Sequence, residues 1–443
     1  MEEKLALMTW DSHAGSILGW KDGEVWRATG IPYATANRGQ VPRAAIPSTQ
    51  PILATKWSPA CPQVRGKFMN TILHEPMGAI PFDENCQRLS ITLPANADSK
   101  GKLPVMVWIH GGSYTSGAGD APMYDPIALV REQGVIVVSI TYRLGLFGYL
   151  GGHDAQTPNL GLFDQIESLK WIQRNIEAFG GDPRAVTIFG ESAGADAVAH
   201  LMIAEGSQGL FRRAIVQSAP FGLFSGRKKM AKAMAEVAAK IPAAASVEEI
   251  INAQARVVLA AQKFGIKSSM PFGTQYGFAP LPSEEEADRA WTAAARNVDV
   301  LVGSNSREAA LFLPRIPALS AARRLPVAGK IIAGAFVSGF TRKIYGAGAE
   351  AFAKRHRDGG GSAYRYVLSW GVPGNWYAGA HSIDLPLLFP NRQVYGDTSL
   401  ATGTPWTQLN EQGAKLRSIW AAFARTGSID IGNAPDFLKI VKL

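Results

Sequence analysis

The sequence predicts an α/β protein with a central, mostly parallel twisted sheet, helices on both faces and helical insertions after some strands. Three observations carry that prediction. Continuous apolar runs such as Val135-Ile136-Val137-Val138 alternate with longer stretches of helical periodicity, the pattern of strands covered on both faces. One such run, Val186-Thr187-Ile188-Phe189, breaks abruptly into Gly190-Glu191-Ser192-Ala193-Gly194-Ala195, a strand-to-helix turn built of small residues. Finally, 443 residues that are 47% apolar, with no internal repeat or low-complexity tract, suffice for one large body, residues 1–443 forming a single domain.

Taken in order, residues up to about 60 read as strands and turns, with Gly30-Ile31-Pro32-Tyr33-Ala34 as a structured loop. Residues 103–109 form a buried strand that ends in His110-Gly111-Gly112-Ser113-Tyr114. Residues 134–142 form a second, followed by Arg143-Leu144-Gly145. A helix over 162–177 carries apolar residues at helical spacing and closes on Phe179-Gly180-Gly181-Asp182-Pro183. After the Ser192 turn come a strand at 214–218 and Ala- and Lys-rich helical text from 226 to 264. Residues 298–302 are again a strand, closing on Gly303-Ser304-Asn305-Ser306-Arg307-Glu308. Strand character returns at 364–370, and the chain ends with a helix over 409–425 and a short tail. Helical insertions at about 226–290 and 314–357 both follow strands, where caps over an α/β active site arise.

Composition narrows the function classes. The net charge is +9, but Lys and Arg are scattered, and the densest group, Arg227-Lys228-Lys229 with Lys232, reads as a solvated helix face. No nucleic-acid partner is therefore expected. The N-terminus is charged and lacks the apolar stretch of a signal peptide, and no apolar run approaches the ~18 residues of a membrane span, so cytoplasmic residence is the default expectation. Only two cysteines occur, Cys61 and Cys86, which excludes a cysteine-based zinc site and a disulfide scaffold. Paired, they would close a loop worth roughly 3 kcal/mol; in a reducing compartment two free thiols are favoured.

The Gly190–Gly194 turn has the form of a nucleophile elbow, which lifts one serine hydroxyl into the open. An exposed serine alone is inert. Attack on a carbonyl needs a base for its proton, an acid to orient that base, and donors for the oxyanion. The base is His381, which follows a strand and the glycine-bearing loop Trp376-Tyr377-Ala378-Gly379-Ala380; His200 and His356 lie within helical text. The acid is Glu308, just past the strand that contains Val302, whereas Asp299 precedes that strand's end. The order Ser, Glu, His is the one such elbows use. The oxyanion donors are assigned to the glycine loop after the 103–109 strand and to the Ala193 amide.

These residues resemble the type-B carboxylesterases, the α/β-hydrolase branch that includes the cholinesterases. The matches run through Gly30-Ile31-Pro32-Tyr33-Ala34, Ala60-Cys61-Pro62-Gln63, Glu84-Asn85-Cys86, Tyr142-Arg143-Leu144-Gly145, Phe163-Asp164-Gln165 and Phe179-Gly180-Gly181-Asp182-Pro183, then the elbow, Glu308, His381, and Trp420 to Gly427. The resemblance implies an α/β-hydrolase fold and a Ser192–Glu308–His381 triad. It also implies oxyanion amides on Gly112, Ser113 and Ala193, with Ser218 and Asp384 hydrogen-bonding around the Glu308–His381 pair. It implies a Cys61–Cys86 disulfide as well, leaving the redox state open. The chain departs from the family at Ser113, which replaces a glycine but keeps its amide, and at Ala309, which replaces the glycine after the acid. The segment between Glu308 and His381 and the tail are shorter than usual, which implies a trimmed cap and a more open gorge.

The expected chemistry is a two-step acyl transfer on a small-molecule ester, with neither metal nor organic cofactor. Carbamates, amides and aromatic diesters share its tetrahedral intermediate and stay open as substrates. A non-catalytic, cholinesterase-like interaction protein is the alternative of another class, disfavoured because all three triad members are present. Phe221, Phe224, Phe312, Trp370 and Trp376 could line an apolar pocket, although aromatics at such positions more often serve the core.

Overall fold

The structure, a computed structural model, describes residues 6–64, 67–98, 100–151, 157–316 and 328–443. Its centre is a twelve-stranded mixed sheet, with strands β1 (Leu7–Ser12), β2 (Gly15–Asp22), β3 (Val25–Pro32), β4 (Ile52–Leu53), β5 (Arg88–Pro94), β6 (Leu103–Ile109), β7 (Ile136–Thr141), β8 (Gly181–Glu191), β9 (Arg213–Gln217), β10 (Asp299–Asn305), β11 (Ala363–Leu368) and β12 (Leu438–Lys442). The order is β1-β2-β3-β5-β7-β6-β8-β9-β10-β11-β12, with β4 beside β2. The six strands from β7 to β11 along this path run parallel. The flanks are antiparallel: β1 to β3, β5 against both of its neighbours, and β12 against β11. The expected parallel sheet is therefore its middle. The last edge, β12, lies in the residues read as a tail; at five residues, with only Leu438 and Ile440 buried, it is too short to stand out from a loop.

Alternation along each strand builds two cores, one on each face. Val105, Val107 and Ile109 of β6 join one, and Met106 and Trp108 join the other. Helix α1 (Ile127–Gln133) connects β6 to β7, and α2 (Leu160–Asn175) buries Leu162, Ile166, Leu169 and Ile172 in the first core. Helix α9 (Trp406–Thr426) covers the opposite face with Leu416, Trp420 and Phe423. The chain runs from β6 to β7 on one side and later places β8 on the other side of β6. That makes the carboxyl ends of β6 and β8 a switch point, the crevice where α/β sheets place ligands.

The two inserted segments are helical. Helix α4 (Lys228–Ala238), α5 (Val247–Ala261) and α6 (Ala287–Ala294) follow β9. After β10 come α7 (Ala328–Thr341), one wide π-type turn over Arg342–Gly346, and α8 (Ala347–Asp358). Residues 317–327 of the second segment lie outside the described residues. The basic group on α4 is as solvated as expected except for Arg227. That guanidinium is buried and donates to the carbonyls of Leu223, Met270, Pro271 and Phe272. No helix among the described residues is long and apolar enough to cross a membrane.

Behind the switch point, Arg143 and Asp164 form a fully buried two-pronged ion pair, with Nε–Oδ2 at 2.8 Å and Nη2–Oδ1 at 2.7 Å. Asp164 also accepts from the Arg143 amide, and Nη1 donates to the Gln40 carbonyl, so the pair fastens α2 to the end of β7 and to the N-terminal region. Cys61 and Cys86 are both buried, free thiols of the same core; burial, then the neighbouring Cys61, pushes the Cys86 thiol well up. The disulfide implied by resemblance is not formed in this structure.

Candidate active site

The elbow is the most constrained point of the chain. Strand β8 ends at Glu191 and helix α3 (Ala193–Leu201) begins one residue after Ser192. Ser192 therefore sits at φ 58°, ψ −123°, a region that costs a non-glycine residue about 1–3 kcal/mol. Its amide donates to the Gln217 carbonyl at 2.9 Å, and its carbonyl accepts from the Asp196 amide at 2.9 Å, which fixes the turn from both sides. A side chain on Gly194 would run into the Ile109 carbonyl oxygen, which explains the glycine.

Glu308 and His381 come together beside it. Glu308 lies just past β10, and both of its carboxylate oxygens are engaged: Oε1 accepts from the Asn305 amide at 2.6 Å and Oε2 faces His381 Nδ1 at 2.6 Å. The His381 amide donates to the Glu308 carbonyl, so backbone and side chain hold the same pair. The imidazole is buried between the rings of Phe312 and Tyr345, at centroid distances of 5.3 and 5.2 Å. Tyr345 is delivered by the π-type turn, and it had no signal in the sequence.

The outer nitrogen of that imidazole holds a surprise. His381 Nε2 lies 3.1 Å from Oε1 of Glu191, the residue before the elbow serine, and that oxygen also accepts from Ser382 Oγ at 2.9 Å. Ser192 Oγ itself makes no hydrogen bond among the described residues. Burial alone would push the imidazole down, but Glu191 and then Glu308 outweigh it and raise His381 to about 9. Burial raises Glu191 to about 8 against the opposing pull of His381. Both groups therefore keep their protons up to mildly alkaline pH. Glu191 fills the variable position of the elbow pattern, and its acidity is the one sequence signal for this contact.

The glycine loop folds back over the elbow. Gly112, Ser113 and Tyr114 all have positive φ, at 108°, 56° and 58°. The Gly112 carbonyl is consumed by the amides of Thr115 and Ser116. The amides of Gly112, Ser113 and Ala193 donate to nothing among the described residues. Ala193 is buried, whereas Gly112 and Ser113 are half-buried.

Two supporting residues differ from expectation in opposite ways. Ser218 does not bond the Glu308–His381 pair: its hydroxyl is buried without a partner among the described residues, while its amide, at a left-handed φ of 56°, ties the end of β9 to the Gly303 carbonyl. Asp384 is in place but acts at one remove. It accepts from Gln217 Nε2 at 2.6 Å and Asn305 Nδ2 at 3.2 Å, and Gln217 in turn accepts from Trp420 Nε1. Burial raises the Asp384 carboxyl above its ordinary range. Of the five aromatics considered for a pocket, Phe312 adjoins the imidazole, while Phe224 and Trp370 are core residues. His356 is also structural, bonded to the Val298 carbonyl at 2.8 Å. His110 at the glycine loop is pushed down to about 4 by burial, which keeps it neutral.

Comparison with known proteins gives the family and the fold. Residues 12–324 match the model of the carboxylesterase family. The chain is 36% identical over 413 residues to a probable N-octanoylanthranilate hydrolase of Rhodococcus erythropolis, covering 92% of this chain and 90% of that protein. It is 30% identical over 458 residues to the para-nitrobenzyl esterase of Bacillus subtilis, covering 94% and 89%. A solved para-nitrobenzyl esterase structure superposes with a TM-score of 0.78 at 26% identity, covering 98% of this chain and 97% of that one. The chain belongs to the carboxylesterase family, has the α/β-hydrolase fold, and is a carboxylic-ester hydrolase.

Proposed function

We propose that Ser192 is the nucleophile, His381 its general base and Glu308 the acid that orients the imidazole, in a two-step hydrolysis through an acyl-enzyme. The observation that carries this reading is the 2.6 Å Glu308–His381 contact beside the strained Ser192 elbow. His381 takes the serine proton as Oγ attacks the ester carbonyl, and Glu308 steadies the imidazolium. The amides of Gly112, Ser113 and Ala193 receive the oxyanion. The alcohol leaves with the proton from His381, and water repeats the cycle to release the acid. For the first proton transfer Nε2 must leave Glu191 for the neighbouring Ser192 hydroxyl, a tightening that substrate binding supplies. A small-molecule ester is the partner. A phosphonate ester should label the protein stoichiometrically, with the added mass on the Ser192 peptide; label elsewhere, or none, overturns the reading.

The name of the relative from Rhodococcus erythropolis supports a second substrate reading, an N-acyl aryl amide. Both bonds pass through the same tetrahedral intermediate. Turnover of an octanoyl anilide beside the matching phenyl ester separates them.

Glu191 gives this site a pH signature. The base is active only when unprotonated, so the acid limb of kcat/KM should lie above the ordinary imidazole value of 6.5, towards about 9. Glu191→Gln removes the negative charge that does most to raise the imidazole, so its limb should move to lower pH by about one unit or more. A limb that stays in place would mean that Glu191 does not raise His381.

A further inference from the structure

We infer that a buried tie between Tyr114 and Asp196 positions the oxyanion donors, with Tyr114 and Asp196 acting as positioning residues for acyl transfer. This inference rests on the triad reading given above. The two residues belong to the two elements that supply the donors: Tyr114 directly follows Ser113 in the glycine loop, and Asp196 lies on α3, three residues after Ala193. The Tyr114 hydroxyl donates to Asp196 Oδ2, spanning 82 residues of chain. No other side-chain hydrogen bond among the described residues joins that loop to that helix.

The loop needs such an anchor. Ser113 and Tyr114 are consecutive non-glycine residues in the left-handed region, a strained conformation that persists only where its surroundings enforce it. Those two conformations set the direction of the Ser113 amide. What enforces them converges on Tyr114: its carbonyl accepts from the Gly145 amide at 2.6 Å, and its ring packs on Tyr149 at a centroid distance of 4.1 Å. Its hydroxyl is held by Asp196. Burial, then Asp196, raises the phenol far above its usual range, so it remains a donor.

Asp196 is costly where it is, which argues for a role. It is fully buried, and Oδ1 has no hydrogen bond among the described residues. His200 Nδ1 lies 3.2 Å from Oδ1 but is bonded to the Asp196 main-chain carbonyl at 2.7 Å, and His200 Nε2 faces the Tyr276 hydroxyl at 2.8 Å. A helix that needed only to pack would be better served by alanine, as at Ala195, Ala197 and Ala199 around it. A buried carboxyl with one engaged oxygen is intelligible as the fixed end of the tie.

The test separates aim from fold. A boronic acid forms a tetrahedral adduct on serine whose oxygen occupies the oxyanion position, whereas an ether analogue of the substrate lacks that oxygen. Tyr114→Phe, which keeps the ring, should lower kcat and boronate affinity by the same factor, about 10–100-fold, with KM and ether affinity within about two-fold of wild type. Asp196→Asn keeps an acceptor and should retain much more boronate affinity than Asp196→Ala, which should behave like Tyr114→Phe. Tyr114→Phe with kcat and boronate affinity close to wild type overturns the inference, as does a loss shared equally by the ether analogue. Should Tyr114→Phe not fold, equal boronate affinities for Asp196→Asn and Asp196→Ala would overturn it instead. Ser192→Ala is assayed alongside: retained activity there rejects the triad, whereas its loss with an unaffected Tyr114→Phe rejects only the tie.

Discussion

His381→Ala is expected to lower kcat by on the order of 10⁴–10⁶-fold, with KM changed far less. In the proposed mechanism both proton transfers pass through the imidazole, and its replacements are poor. Glu191 and Glu308, the carboxyl groups that contact it, have geometry directed at the ring rather than at the serine. The three free amides would still receive the oxyanion, so a residual rate above that of water should survive. Because serine and histidine act as one unit, the double variant with Ser192→Ala should lose little beyond the single. A full-rate His381→Ala would remove the base from the mechanism, and a fully additive double variant would mean that the two residues act separately. Steady-state kinetics on a p-nitrophenyl ester, with circular dichroism to verify folding, reads both outcomes.

The largest effect on stability should come from Asp164→Ala, at about 3–5 kcal/mol, measured by denaturant unfolding. Arg143 would keep its bond to the Gln40 carbonyl but lose both carboxylate bonds while still buried. The stranded guanidinium, rather than the missing attraction, sets that magnitude. Replacing both partners by apolar residues of similar volume should therefore cost less than Asp164→Ala alone. A single-variant loss below about 1 kcal/mol would mean that water reaches Arg143.

The parallel half of the sheet is legible because each strand is buried on both faces and reads as an uninterrupted apolar run; residues 103–109 are identical as expected and observed. Edges such as β12 are hidden because one exposed face removes that signal. The elbow and the Glu308–His381 contact are legible as candidates because local turn chemistry and chain order point to them. Glu191, Tyr345 and the Tyr114–Asp196 tie were not, since their roles arise only when distant segments meet: Tyr345 is 36 residues before His381 in the chain, yet its ring lies 5.2 Å away. Ser218 was the opposite case. A polar residue at a strand end has the look of a hydrogen-bonding partner, yet its hydroxyl is buried without one among the described residues.

The contact between the π-type turn and the imidazole bears on how this scaffold can be re-engineered. Thr341 Oγ1 accepts from the amide of Ala309, next to the acid, and Tyr345 covers the base. Loop grafting across residues 328–358 would thus disturb the Glu308–His381 pair itself.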